Sequence, residues 1–202
     1  MGDSVPKFTD ERRSEIRRTL LDVGAEQFAD RGLEETAIAD LTGEAGIATG
    51  TFYSFFDSKE ELLAAILRRE AEHVYADLRV VLKENEDDPE TALRQFVRVA
   101  GDALVTTPLF RKTISREDRA RLVEELPDTD ILESHREKRD ILVPYIEQWQ
   151  QAGRITDGDV DTIASGILYI ATLALRRDEI GDARYPTVRD CLIDWMVAGL
   201  CT

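Results

Sequence analysis

Cysteine, histidine, methionine and tryptophan are each present only twice in the 202 residues, and lysine is nearly as scarce beside arginine. The two cysteines, Cys191 and Cys201, lie near the C-terminus and form no disulfide framework. With 43% apolar residues the chain can bury a core without cross-links. This cysteine usage suits a reducing compartment, so a cytoplasmic protein is expected. Two histidines and two distant cysteines give no metal-ligand spacing, and no metal or other cofactor is expected. GxSxG, Walker A and GxGxxG sequences are all missing. Ser134 and His135 are neighbours on a helix, so their side chains diverge and cannot act as nucleophile and base. An enzyme is not expected. Long hydrophobic runs are missing too. The longest, Ile163 to Leu175, is broken by Ser165, Gly166 and Thr172 and is too short to span a bilayer. The opening residues MGDSVPKF hold no apolar stretch, so neither a leader nor a membrane partner is expected.

Negative charge is abundant. The formal net charge is −15, and residues 1–67 alone carry 7 basic against 14 acidic side chains. Such a balance ordinarily opposes binding to a polyanion. Adaptation to a salt-rich cytoplasm is one explanation, because a carboxylate-rich surface stays hydrated there and its self-repulsion is screened. An ordinary acidic protein that favours arginine is the other.

The hydrophobic periodicity is helical almost throughout, with apolar residues at i, i+3 and i+4 and no alternating β-branched runs. A first helix is predicted over Asp10–Arg31, capped by Thr9, with Ile16, Leu20, Val23, Gly24 and Phe28 on one face. Gly32 stops it. A short helix follows over Ala37–Ala45 with Thr36 as cap, then a turn at Gly46 and a third helix over Thr49–Phe55. Ser58-Lys59-Glu60-Glu61 reads as a capping box that opens a long fourth helix, which runs to the acidic stretch Glu84–Asp88. Further helices are predicted from Asp88-Pro89, over Thr129–Ala152, over Val160–Leu175 and from Pro186. The expected fold is all-α: a three-helix N-terminal domain over residues 1–57, joined to a helical bundle over 58–202, about nine helices in total.

The segment Ile38 to Phe56 carries the functional signal. Two short helices joined by a glycine turn, with apolar residues at fixed offsets, describe a helix-turn-helix. Ile38, Leu41, Ile47, Phe52 and Phe56 can pack together with Phe28. That arrangement leaves Ala48, Thr49, Gly50, Tyr53 and Ser54 on the outer side, small enough to approach base edges in a major groove. Arg12, Arg13, Arg17 and Arg18 form the only basic cluster in this region and are candidates for phosphate contact.

The motifs Phe28-Ala29-Asp30-Arg31-Gly32, Leu41…Ala45-Gly46-Ile47, Gly50-Thr51-Phe52-Tyr53…Phe56 and Ser58-Lys59-Glu60…Leu62-Leu63 resemble the TetR family of repressors in order and spacing. The resemblance covers roughly residues 10–65. It implies that Thr51, Tyr53 and Lys59 touch phosphates or bases of double-stranded DNA, and that Thr49 and Gly50 lie beside base edges. This chain departs from the family at four positions. Thr49 stands where Lys, Arg or Gln is frequent, Ala48 where Ser is, Phe55 where His is, and Ala39 replaces a polar residue. Direct readout is correspondingly sparse, which shifts weight to DNA shape.

The resemblance also implies a homodimer formed by the last two helices and a small-molecule effector. Independently, the 160–175 segment is apolar around much of its circumference, and small residues there permit close approach. Candidate interface residues are Ile163, Ile167, Ile170, Ala171, Ala174, Leu192 and Trp195. Tyr75, Phe96, Phe110, Tyr145, Trp149 and Tyr169 are candidate pocket liners for an apolar or aromatic effector, with His73 and His135 as polar partners. A repressor released from a palindromic operator by such an effector is the expected function. The alternative is an activator or a protein-controlled regulator without a small ligand.

Overall fold

A computed structural model of the chain describes residues 9–107 and 131–202. The described residues divide into two compact units, 9–67 and 68–202, and the division falls inside one long helix, after Leu67. All regular structure among them is helical, apart from an isolated bridge between Ile155 and Cys201.

The first unit holds α1 (Asp10–Arg31), α2 (Ile38–Glu44), α3 (Thr49–Phe52) and the opening turns of α4 (Lys59–Glu84). Thr9 caps α1 as expected, accepting from the Arg12 N–H, and Gly32 closes it at φ +85 with its N–H on the Phe28 carbonyl. Side-chain burial converges on Leu20, Phe28, Leu41, Phe52, Leu62 and Ile66, each at most 1% exposed. Burying an aromatic side chain such as Phe52 contributes about 1.5–3 kcal/mol. Gly24 lets α1 and α4 approach closely, since a Cβ there would lie 2.8 Å from Ile66 Cδ1.

Two short helices differ from expectation. The second begins at Ile38 with Ala37 as its cap residue and no side-chain capping bond, because the Thr36 hydroxyl donates back to the Gly32 carbonyl at 2.7 Å. The third ends at Phe52 rather than Phe55. Its last turn tightens into i→i+3 bonds, Ser54 N–H to Thr51 and Phe55 N–H to Phe52, which folds Phe56 back under Phe52 with ring centroids 5.9 Å apart.

The second unit contains the remainder of α4, α5 (Pro89–Thr106), α6 (Ile131–Gln151), α7 (Val160–Ala171), a 3-10 turn (Thr172–Arg176), α8 (Arg177–Ile180) and α9 (Tyr185–Leu200). One contiguous core joins Leu78 and Leu82 of α4, Phe96 and Val97 of α5, Leu142, Ile146 and Trp149 of α6, Ile167 of α7 and Ile193 of α9. The expected helix 160–175 is broken in two. The Thr172 hydroxyl donates to the Tyr169 carbonyl at 2.6 Å, which competes with continuation of the α-helical ladder. At the same place α7 presses on α5: a Cβ on Gly101 would stand 3.2 Å from the Ala171 carbonyl. Arginine–aspartate pairs line the α5–α9 seam, Arg94 with Asp194 and Arg98 with Asp190.

Candidate nucleic-acid interface

α2 ends in a two-bond motif that only a positive φ permits. Gly46, at φ +68, donates to Gly43, and Ile47 donates to Thr42 across the end of the helix. The chain therefore turns sharply and starts α3 two residues later. Inside this turn the Thr42 hydroxyl donates to the Ile38 carbonyl at 2.9 Å and lies 3.3 Å from the Thr49 hydroxyl. Thr42 is 1% exposed and was not among the residues singled out from the sequence. Only its i+7 spacing to another threonine could have marked it.

Phe52 is fully buried, which fixes how α3 is rolled. Ala48, Thr49 and Gly50 are exposed, Thr51 and Ser54 are half-buried, and Tyr53 is 57% exposed with its ring edge-on to Phe52 at 5.6 Å. The four-residue helix thus presents a small, hydroxyl-bearing surface flanked by one protruding aromatic. Within hydrogen-bonding reach of nucleotides, such a surface can offer hydroxyl donors, close backbone approach at Gly50 and a phenol that suits a phosphate or a base edge.

The basic residues are arranged differently from a free phosphate-binding row. Arg12 pairs with Glu15 at 2.6 Å, an exposed pair of small energetic weight. Arg13 donates to the Ser54 carbonyl at 2.8 Å and lies over the Phe55 ring at 5.1 Å. Arg17 lies over the Phe56 ring at 5.2 Å. Lys59 directs its ammonium to the carbonyl oxygens of Leu33, Glu34 and Thr36 at 2.6, 3.3 and 3.3 Å. The predicted capping box is present in altered form. The Ser58 hydroxyl accepts from the Glu61 N–H, but the Glu61 carboxylate takes the Asp57 N–H rather than that of Ser58.

In the second unit Phe96, Tyr145 and Trp149 come together in one packed core, with the Tyr145 and Trp149 ring centroids 5.9 Å apart. Tyr75, Phe96 and Trp149 are each at most 1% exposed, filling the interior rather than lining space, and the Trp149 indole N–H is committed to the Glu86 carbonyl at 2.7 Å. Tyr169 is 71% exposed on α7, so it cannot line an internal pocket. Phe110 lies outside the described residues. Tyr145 borders an open groove of about 400 Å³ together with Glu72, Arg79, Asp140 and Ile141.

The predicted interface residues also separate. Ile167, Ala171 and Ala174 are buried within their own unit, and Ala171 and Ala174 face Gly101 of α5, which removes all three from the reach of a partner. Ile163, Ile170 and Leu192 are half-buried. Trp195 is 70% exposed on α9. No group of three or more histidine, cysteine or acidic side chains among the described residues is placed to hold a metal ion, and no described helix is long and apolar enough to cross a membrane.

Comparison with known proteins agrees with this geometry. Residues 20–66 match the family model of bacterial regulatory proteins of the tetR family. The transcriptional repressor KstR2 of Mycolicibacterium smegmatis is 27% identical over 169 residues, covering 81% of this chain and 77% of that one. KstR2 of Rhodococcus jostii is 36% identical over 95 residues, 47% of this chain and 42% of that one. Among solved structures, a TetR-family regulator of Pectobacterium atrosepticum superimposes with a TM-score of 0.77 at 24% identity, covering 96% of this chain and 99% of that one. These relatives are regulators of transcription rather than enzymes. Residues 20–66 are thus those of the tetR family of bacterial regulatory proteins, and over most of its length the chain is similar to TetR-family transcription regulators.

Proposed function

We propose that this chain is a repressor that binds a two-fold DNA site as a homodimer and leaves it when a small apolar or aromatic effector binds the second unit. The observation that carries the reading is the roll of α3. Phe52 is buried while Thr49, Gly50 and Tyr53 stand outward on one short helix. DNA recognition then belongs to the first unit, with Ala48, Thr51 and Ser54 at the margin of the contact. Repression follows the KstR2 relatives, which are named as repressors.

The homodimer rests on surface chemistry. Large apolar side chains exposed in a folded unit mark contact sites when they cluster. Tyr169 on α7 and Trp195 on α9 are more than two-thirds exposed, and the half-buried Leu192 lies three residues before Trp195 on α9. Two chains related by a two-fold axis would present two α3 helices to successive major grooves, so the operator would be a palindrome. For the effector, the groove beside Tyr145 and Ile141 offers apolar surface with polar groups at its rim. Because α4 runs through both units, its displacement would re-aim α3.

A protein-controlled regulator without a small ligand is the second reading. The packing of Tyr75, Phe96 and Trp149 into the core favours it, since those rings occupy the space a ligand would need. Native mass spectrometry of the chain with a selected duplex distinguishes these. Two chains per duplex support the dimeric reading, and one chain per duplex opposes it. Screening apolar and aromatic compounds for release of that duplex then separates the effector-controlled protein from the ligand-free one.

A further inference from the structure

α2 has seven residues, too few to hold an orientation without neighbours, and only Leu41 and Thr42 of it are buried. A single buried leucine acts as a pivot. It fixes where α2 rests on α1, but not how α2 is rolled about that point. Two polar pairs join the same helices in antiparallel order: Gln27 and Arg31, one turn apart on α1, meet Glu44 and Asp40, one turn apart on α2. The Arg31–Asp40 pair spans 3.8 Å between half-exposed side chains and carries little weight. Gln27 is 7% exposed, and its Nε2 donates to the Glu44 carboxylate at 2.6 Å, a short charge-assisted bond. Its Oε1 is buried and meets no hydrogen-bond partner among the described residues. Turning the amide over would set that oxygen against the carboxylate, so one orientation is held.

Both partners are poor choices for stability alone. A buried acceptor without a partner is costly. Glu44 places negative charge in the last turn of α2, at the negative end of the helix dipole, where no basic residue accompanies it. What the bond does fix is the end of α2 from which the turn to α3 departs. Ala45, Gly46 and Ile47 follow directly, the Ile47 N–H returns to the Thr42 carbonyl, and the Thr42 hydroxyl lies 3.3 Å from that of Thr49. The roll of α2 is thereby passed to the first residue of α3.

We propose that Gln27 is a positioning residue for DNA recognition: through Glu44 it sets the roll of α2 and with it the aim of α3. The proposal rests on α3 being the DNA-touching element.

Stability and DNA affinity should move apart when Gln27 is replaced. Gln27→Met keeps the length of the side chain, leaves every charge in place and removes the unpaired acceptor. Its melting temperature is expected to equal or exceed that of the unaltered chain. A duplex selected with the unaltered chain is the probe, titrated from low to high KCl. Gln27→Met is expected to bind it about tenfold more weakly, as for one lost hydrogen bond to a charged group. The factor is expected to be the same at every salt concentration, because no ionic contact changes. Unchanged affinity of the folded protein, whatever its melting temperature, would overturn the proposal. So would a loss of affinity that fades as salt rises, which would mean that the freed Glu44 carboxylate repels phosphates. If Gln27→Met lowers affinity and melting temperature together, or does not fold, the exposed Glu44 decides. Glu44→Gln and Glu44→Met remove the same charge, and only the first keeps an acceptor for the Gln27 amide. Tighter binding by Glu44→Gln than by Glu44→Met is expected, and equal binding by the two would overturn the proposal. Failure of the unaltered chain to bind any duplex would instead remove α3 as the contact element.

Discussion

The hydroxyls of Thr42 and Thr49 lie 3.3 Å apart, joining the buried side of α2 to the first residue of α3. Because Thr42 also donates to the Ile38 carbonyl, its Oγ1 sits at the centre of the turn between the two helices. Thr42→Val keeps the shape of the side chain and removes the oxygen. The expected loss of stability is about 1 kcal/mol, from a buried hydroxyl whose partners lose their bond. Thr49 loses its anchor as well, so DNA affinity should fall further than stability accounts for. Chemical denaturation and duplex titration on the same preparation check both parts.

Tyr53 stands on the surface at 57% exposure, with its ring edge-on to Phe52. Tyr53→Ala should therefore leave the melting temperature within a degree or two, because exposed substitutions away from special contacts change stability by about 0.5 kcal/mol or less. Specific binding should fall by about 1–3 kcal/mol, the range for one base or phosphate contact. Full affinity in this variant would remove Tyr53 from the interface.

Trp195 and Tyr169 expose most of their ring surface on α9 and α7. Trp195→Glu should convert a dimer to a monomer at micromolar concentration, since a carboxylate buried against its own copy is costly. Light scattering during size exclusion measures the change. A molecular mass that stays unaltered would place the subunit contact elsewhere.

Two helix starts give the chain a dependence on acid. The Asp88 carboxyl, at the N-cap of α5, is held below the usual aspartate range by hydrogen bonds from the Thr91 hydroxyl and then the Thr91 N–H. Asp159 at the N-cap of α7 is lowered in the same way by Thr162. A lowered folded-state pKa adds stability that is complete above the unfolded value, about 3.9, and is lost as pH falls through the folded value. The gap in melting temperature between the unaltered chain and Asp88→Ala should thus be constant near neutrality, set by a cap worth about 1 kcal/mol, and should narrow below about pH 4. A constant gap down to pH 2 would contradict this.

The charge of −15 makes a further prediction about salt. Self-repulsion of the acidic surface is screened over about 3 Å at 1 M salt, against about 10 Å at 0.1 M. The melting temperature should rise in molar KCl if the surface is adapted to a salt-rich cytoplasm. No rise would leave an ordinary acidic regulator.

Much of the fold is legible in the sequence because local signals fix it. Thr9, Asp88 and Asp159 cap where they stand, and Gly32 and Gly46 turn the chain as their positive φ values require. The helix-turn-helix is legible because its apolar offsets admit one packing. Long-range polar ties are not. Nothing in the sequence says that Lys59 reaches back 26 residues to the Leu33 carbonyl. The faces of α7 are equally silent, since Ile167, Ala171 and Tyr169 are all apolar and periodicity cannot tell which of them meets the protein's own core. Packing against Gly101 decides it.

Selection of binding sites from random duplexes, run in parallel with the unaltered chain and Tyr53→Ala, puts the outward α3 to its most direct test. Enrichment of one sequence with two-fold symmetry by the unaltered chain, and its disappearance with the variant, is the predicted result. Equal enrichment by both proteins, or none by either, would contradict the claim that the surface of Thr49, Gly50 and Tyr53 reads DNA.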